Sequence, residues 1–248
     1  MGGQSRLEDI QFKLMVVEAL RAIKSRYSYR ALARILGVNH TLLARYVSGA
    51  LLPSRGQAEK LWAGLRELVN IEEVVLRQLR ERGFVDISSI LSDPLYLRML
   101  SLEFLDRFRG SSVSKILVPE TSGITLATGM ALTFNVPLVI ARRRKANPHI
   151  EYLEAAVSEA PSTSRIFYIP KDSIRPGEAV LIVDDIIQTG LTLETMRILV
   201  ERSGANLVGV AAVVVYGSEW RRRARLPPGA RLEAVVGLED LEAVRAGG

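Results

Sequence analysis

The string VLIVDDIIQTGLT, residues 180–192, sets two adjacent carboxylates, Asp184 and Asp185, at the end of an apolar run and follows them closely with Thr189, Gly190 and Thr192. The apolar run reads as a buried strand, and the residues from Thr192 to Arg202 read as an amphipathic helix. Ile187, Gln188, Thr189, Gly190 and Leu191 then form the loop between them. A loop with glycine and hydroxyls that opens a helix presents free N–H groups to a phosphate. Carboxylates just before it suit the hydroxyls of a sugar. Together they would hold a ribose 5-phosphate. Two carboxylates alone could hold a metal ion or be surface charge; the adjacent loop argues for the sugar phosphate.

A second constellation is PETSG, residues 119–123. It ends the apolar strand KILVPE and opens a helix over residues 123–132. Glu120, Thr121, Ser122 and Gly123 therefore form another anion-binding turn, or else a plain strand–helix connection. Arg142, Arg143, Arg144 and Lys145 follow the next strand, PLVIAR. Clustered cations there fit a ligand with several negative charges, or else make a solvated run. Arg221, Arg222, Arg223 and Arg225 put four arginines within five residues. They can touch DNA or phosphates but read first as a solvated face.

These loops need a frame. From about residue 84 the sequence alternates short apolar strands (KILVPE, PLVIAR, RIFYIP, AVLIVDD, LVGVAAVVVY) with helical segments, the first entered through Asp93-Pro94. Continuous apolar strands between helices imply an α/β fold, a parallel sheet covered on both faces, whose ligands bind at the carboxyl ends of the strands. Upstream, residues 7–24 read as an amphipathic helix with Leu7, Ile10, Leu14, Val17, Leu20 and Ile23 on its apolar face. Ser28 caps a second helix from Tyr29 to Leu36, Gly37 turns the chain, and Asn39 caps a third from His40 to Val47. A fourth covers residues 57–69, and residues 70–83 make a connecting helix. The expected organisation is a helical domain over 1–70, a connecting helix over 71–83 and an α/β domain over 84–248.

Charge follows the same division. Residues 1–70 carry 11 Lys and Arg against 5 Asp and Glu, which accounts for the whole net charge of +6. A basic module beside a neutral one suggests a polyanion-binding unit. The 248 residues contain no cysteine and only two histidines, His40 and His149, which excludes disulfides, thiolate nucleophiles and His- or Cys-rich metal sites. No apolar run reaches the length of a membrane span, and MGGQSRLEDI lacks a signal-peptide core, so a cytoplasmic location without membrane contact is expected.

The string YRALARILGVNHTLLARYVSGALLPS resembles the helix-turn-helix of the phage-repressor (Cro/C1-type) family, over about residues 10–69. That resemblance implies that Asn39, His40, Thr41, Ala44 and Arg45 face a major groove, with Arg30, Arg45 and Arg55 as phosphate or guanine contacts. The blander reading is a unit that dimerises or packs on the second domain. VLIVDDIIQTGLT resembles the phosphoribosyl pyrophosphate (PRPP) motif of the type I phosphoribosyltransferases, over about residues 84–240. The stretch from residue 116 to 172 looks most like xanthine phosphoribosyltransferase and the bacterial purine repressor of that fold.

The second resemblance implies a PRPP site. Asp184 and Asp185 would hold the ribose, and Ile187, Gln188, Thr189, Gly190, Leu191 and Thr192 the 5-phosphate. Glu120, Thr121, Ser122, Gly123, Arg142 and Lys145 would hold the pyrophosphate. A cis peptide is expected at Thr121-Ser122, and residues 146–163 fall where the family has its mobile loop. Mg²⁺ would arrive with PRPP, with no protein ligands assigned to it. Leu191 departs from the small residue usual there, which puts loop geometry and turnover in question. The fusion as a whole resembles archaeal-type regulators with a phosphoribosyltransferase-like domain. The leading expectation is therefore a homodimeric transcriptional regulator that binds double-stranded DNA and senses PRPP or a related nucleotide. The alternative is an active phosphoribosyltransferase joining ribose 5-phosphate from PRPP to a purine-like, xanthine-like or orotate base, with the helical unit for autoregulation. A third reading is a PRPP-binding subunit whose N-terminal helices only dimerise.

Overall fold

The structure, a computed structural model, describes residues 2–158 and 164–238. Strands β1 (Lys115–Pro119), β2 (Leu138–Ala141), β3 (Tyr152–Ser158), β4 (Ser164–Pro170), β5 (Ala179–Ile187), β6 (Asn206–Tyr216) and β7 (Arg231–Leu238) make two sheets. Five strands pair in parallel in the order β2-β1-β5-β6-β7, and β3 and β4 form a separate antiparallel pair. The central strands are apolar on both faces. In β1 and β5, Ile116, Val118, Leu181 and Val183 join one core, while Leu117, Val180 and Ile182 join the other. Alternation of this kind follows from the two-residue period of a strand with both faces covered.

The helices are α1 (Gly2–Lys24), α2 (Tyr29–Ile35), α3 (His40–Ser48), α4 (Arg55–Leu68), α5 (Ile71–Arg82), α6 (Ile87–Leu91), α7 (Pro94–Arg107), α8 (Ile124–Phe134), α9 (Leu191–Arg202) and α10 (Glu219–Ala224). Helices α2 to α7 each start with a side-chain cap: Ser28, Asn39, Ser54, Asn70, Asp86 and Asp93 accept from amides two or three residues on. Such caps satisfy donors that the first helical turn leaves unpaired. Helices α8 and α9 open at Gly123 and Gly190 and have none.

The N-terminal helices share one core with the sheet. Leu20, Leu43 and Leu65 lie in the same apolar cluster as Met99, Phe104 and Val118. Arg26 pairs with Asp93 at 2.5 Å, Trp62 Nε1 donates to Asp106 at 2.8 Å, and Arg66 reaches Glu103 at 3.0 Å. These contacts fix α1 and α4 onto α7.

Three expectations change. The buried side of α1 is Phe12, Met15, Val16, Val17, Ala19, Leu20 and Ile23, whereas Leu7, Ile10 and Leu14 are exposed. Helix α1 packs against both α4 and α7, so its seam is rotated from the simple amphipathic stripe. The stretch 146–163, expected as a loop, contains β3; residues 159–163 lie outside the described residues. The strand was missed because its burial is mixed, pairing only with β4 at the sheet's periphery. Helix α10 and strand β7 were not anticipated either. Among the described residues no helix is long and apolar enough to cross a membrane.

Candidate active site

β1 and β5 are neighbours in the sheet, and both end at the same edge. Their following turns therefore meet. Gly123, at the start of α8, lies so close to Asp184 that a Cβ on it would sit 3.3 Å from both the Asp184 Cα and its Oδ1. The two turns, some sixty residues apart in sequence, thus lie side by side.

Asp184 and Asp185 end the buried part of β5 and are half-buried. The Asp185 amide donates to Asp184 Oδ1 at 3.0 Å. Burial, then the charge and side-chain hydrogen bond of Asp185, push the Asp184 carboxyl well above the usual carboxylate range; the Asp185 amide and Arg165 pull the other way. Burial beside a second acid thus favours the protonated form of Asp184. A ligand that donates hydroxyl protons or brings positive charge would favour the ionised form.

Beyond the acids, Ile187 is buried, Gln188 is exposed, and Thr189 is half-buried. Gly190 has φ 80°, and a Cβ there would come within 2.7 Å of Trp220 Cα. Only glycine fits that turn. The amides of Leu191, Thr192 and Leu193 are the first-turn donors of α9, and the first intrahelical bond runs from Glu194 to Gly190. Leu191 N–H reaches Thr189 Oγ1 at only 3.4 Å, a weak bond that leaves it available to an anion. The Leu191 side chain is buried, so its bulk is turned inward rather than across the loop.

On the other turn, the non-proline cis peptide is Glu120-Thr121, one residue before the expected position. The Glu120 amide makes the last ladder bond, to Ala141 O at 2.9 Å, so the chain leaves the sheet directly after it. Thr121 and Ser122 are exposed, and Gly123 is buried between Val118 and Asp184. Glu120 Oε2 accepts from the Arg143 amide at 2.9 Å, which ties the basic cluster to this turn. Arg142 is held by backbone bonds to Tyr168, and Lys145 lies over the Tyr168 ring, 3.9 Å from Glu154. In this state Lys145 engages the β3–β4 pair rather than the turn.

Sequence reasoning missed Arg165. From β4 its Nη1 donates to Thr192 Oγ1 at 2.7 Å, which puts a guanidinium beside the α9 turn. The two residues are 27 positions apart in sequence, and nothing local signals their meeting.

The residues expected to face DNA lie on α2 to α4. Arg30, Asn39, His40, Thr41 and Arg45 are exposed and Ala44 is half-buried. Asn39 Oδ1 is taken up by the Thr41 amide at 2.8 Å. Arg55 is engaged by Glu59 at 2.7 Å and Asp9 at 3.7 Å and lies over the Phe12 ring.

Residues 99–228 match the family described as "Phosphoribosyl transferase domain". A xanthine phosphoribosyltransferase of Heliobacterium modesticaldum is 30% identical over 151 residues, 60% of this chain and 80% of that protein. Xanthine phosphoribosyltransferase 1 of Clostridium perfringens is 31% identical over 180 residues, 69% of this chain and 95% of its own. Among solved structures, the adenine phosphoribosyltransferase of Rhodothermus marinus aligns with a TM-score of 0.55 and 30% identity over 62% of this chain and 86% of that one. These relatives are enzymes. They overturn the leading expectation of a DNA-binding regulator in favour of the catalytic alternative. The fold agrees physically, because the helical unit is packed into the core of the α/β part and part of its proposed reading face is spent on caps and internal ion pairs. The parallel sheet flanked by helices is that of the type I fold, and the chain belongs to the phosphoribosyltransferase family.

Proposed function

We propose that this protein transfers ribose 5-phosphate from PRPP to a purine-class base, xanthine-like by analogy with its relatives. The reading is carried by the contact of Gly123 with Asp184, which joins an acid pair, an uncapped helix start and a second anion turn in one cleft. Asp184 and Asp185 accept hydrogen bonds from the ribose hydroxyls. Their negative charge favours the positive charge that develops at the anomeric carbon as the bond to pyrophosphate breaks. Thr189, Thr192 and the amides of residues 191–193 hold the 5-phosphate. Glu120, Thr121, Ser122 and Gly123 frame the departing pyrophosphate, with Arg142 and Lys145 as the cations able to close on it. A ring nitrogen of the base bonds the anomeric carbon, pyrophosphate leaves with the electron pair, and the base proton passes to solvent.

Two adjacent carboxylates are hard oxygen donors that suit Mg²⁺, and among the described residues no cluster of three or more His, Cys, Asp or Glu could cage it alone. PRPP would supply the remaining oxygens, and the ion would offset the charge of the pyrophosphate. The test is pyrophosphate release from PRPP with Mg²⁺ and, in turn, xanthine, guanine, hypoxanthine, adenine and orotate. Turnover is expected with a purine. Absence of turnover with every base defeats the proposal, and preference for orotate defeats the purine assignment.

A further inference from the structure

Part of the arginine run at α10 lines a cavity of about 410 Å³ with Glu194 and Arg197 of α9, bordered by the end of β3. Arg222, Arg223 and Arg225 face it from α10 and the residue that follows. Four guanidinium groups and one carboxylate make up the charged lining, with Glu201 and Glu219 pairing two of the four from outside it. Arg225 Nε donates to Arg222 O at 3.2 Å, and Arg223 pairs with Glu219 at 3.4 Å, so α10 holds these groups in place. Arg197 pairs through Nη1 with Glu201. Its Nε, however, is the buried side-chain polar atom without a hydrogen-bond partner among the described residues. A buried donor without an acceptor costs free energy, and an anion in the cavity would remove that cost.

The α9 residues of this cavity lie on a different side of the helix from Thr192. Helical geometry turns about 100° per residue, so Glu194 and Arg197 project about 200° and 140° round α9 from Thr192. Thr192 faces Arg165. Val157, which lines the cavity, is the cross-strand partner of Arg165. One two-stranded unit therefore borders the cavity with one strand and reaches the phosphate turn with the other.

We propose that the cavity is a second anion site, for an oligophosphate chain. Guanidinium forks match phosphate oxygens in pairs, and several of them need a ligand with several charges. The volume is in the range of small-molecule sites and admits a triphosphate, free or carried by a nucleoside.

The experiment is a calorimetric titration of the full chain, loaded with excess PRPP and Mg²⁺ and without a base, using tripolyphosphate and then ATP. Tripolyphosphate should still bind the loaded chain. Arg222→Ala with Arg225→Ala, both exposed positions, should weaken it at least about tenfold and leave PRPP affinity within about twofold. Arg197→Lys keeps the charge but not the fork, and should weaken it about threefold or more. Equal affinity for ATP and tripolyphosphate identifies a free chain as sufficient; tighter ATP binding identifies a nucleotide. Loss of tripolyphosphate binding on PRPP loading, or a double variant that binds as wild type does, overturns the site. If PRPP itself fails to bind, the catalytic reading fails, and the titration of the unloaded wild type against the double variant still decides this one.

Discussion

Helices α2 to α7 and helices α8 and α9 begin in opposite ways. The first six each receive a Ser, Asn or Asp side chain on a first-turn amide. Helices α8 and α9 start at glycines, which offer no capping side chain, at the edge where β1 and β5 end. The same edge holds two adjacent, half-buried carboxylates and a glycine pressed against Trp220. Departures from local stability rules gather there, while α2 to α7 keep their caps. The difference separates residues that stabilise the fold from residues kept for a ligand. Substitutions in the two regions should then move different quantities.

The largest effect is expected from Asp184→Asn with Asp185→Asn, which removes the charge that the proposed reaction sets against the anomeric carbon. Turnover should fall about 10³-fold or more, in steady-state kinetics with a purine and PRPP. Stability should move the other way. The Asp184 carboxyl titrates above its unfolded value, so the folded state holds its proton more tightly, and this group's contribution to stability falls as pH rises from the unfolded value, near 4, through the folded one. Asp184→Asn should therefore melt higher than wild type at neutral pH, and the gap should close below about pH 4. A variant that melts lower at neutral pH would place Asp184 among the stabilising residues and erase the contrast.

Gly190→Ala comes next. The left-handed φ and the 2.7 Å approach to Trp220 Cα force the turn to move. A stability cost of about 1–3 kcal/mol is expected, with an increase in KM for PRPP that exceeds any change in KM for the base. A smaller effect is expected at Arg165→Ala. Loss of its bond to Thr192 should raise KM for PRPP about three- to tenfold. Arg165 also draws the Asp184 carboxyl down, so without it the acidic limb of the pH–rate profile should move to higher pH.

The sequence made one half of this contrast plain and hid parts of the other. The acid pair and the phosphate turn lie within nine consecutive residues, and their chemistry is local. The caps at Ser28 and Asn39 were also local and were read correctly. Arg165 was hidden because its role depends on how a peripheral strand pair folds over α9. The α1 seam was misplaced because two packing partners, α4 and α7, decide it together. The cis peptide was misplaced by one residue because the final ladder bond of Glu120, a tertiary fact, decides where the strand lets go. The arginine run near residue 222 gave no hint of a cavity, since the wall across from it comes from α9 and β3.

The smallest effect sharpens the comparison most, because it should leave the chemistry alone. Asn70 Oδ1 accepts from the Glu73 amide at 3.0 Å at the start of α5, and the first turn also carries Glu72 and Glu73, which favour that end of the helix dipole. Asn70→Ala leaves the amide to water at an exposed position, so the cost should be about 1 kcal/mol, a fall in melting temperature of about 2–4 °C. Turnover and KM at temperatures well below melting should stay within about twofold of wild type. Helix α5 contacts β7 rather than the β1–β5 edge, so a cap lost there has no direct path to the cleft. A fall in turnover out of proportion to the lost stability would mean that the N-terminal helices set the geometry of the cleft, and the division between stabilising caps and ligand-ready glycines would no longer hold.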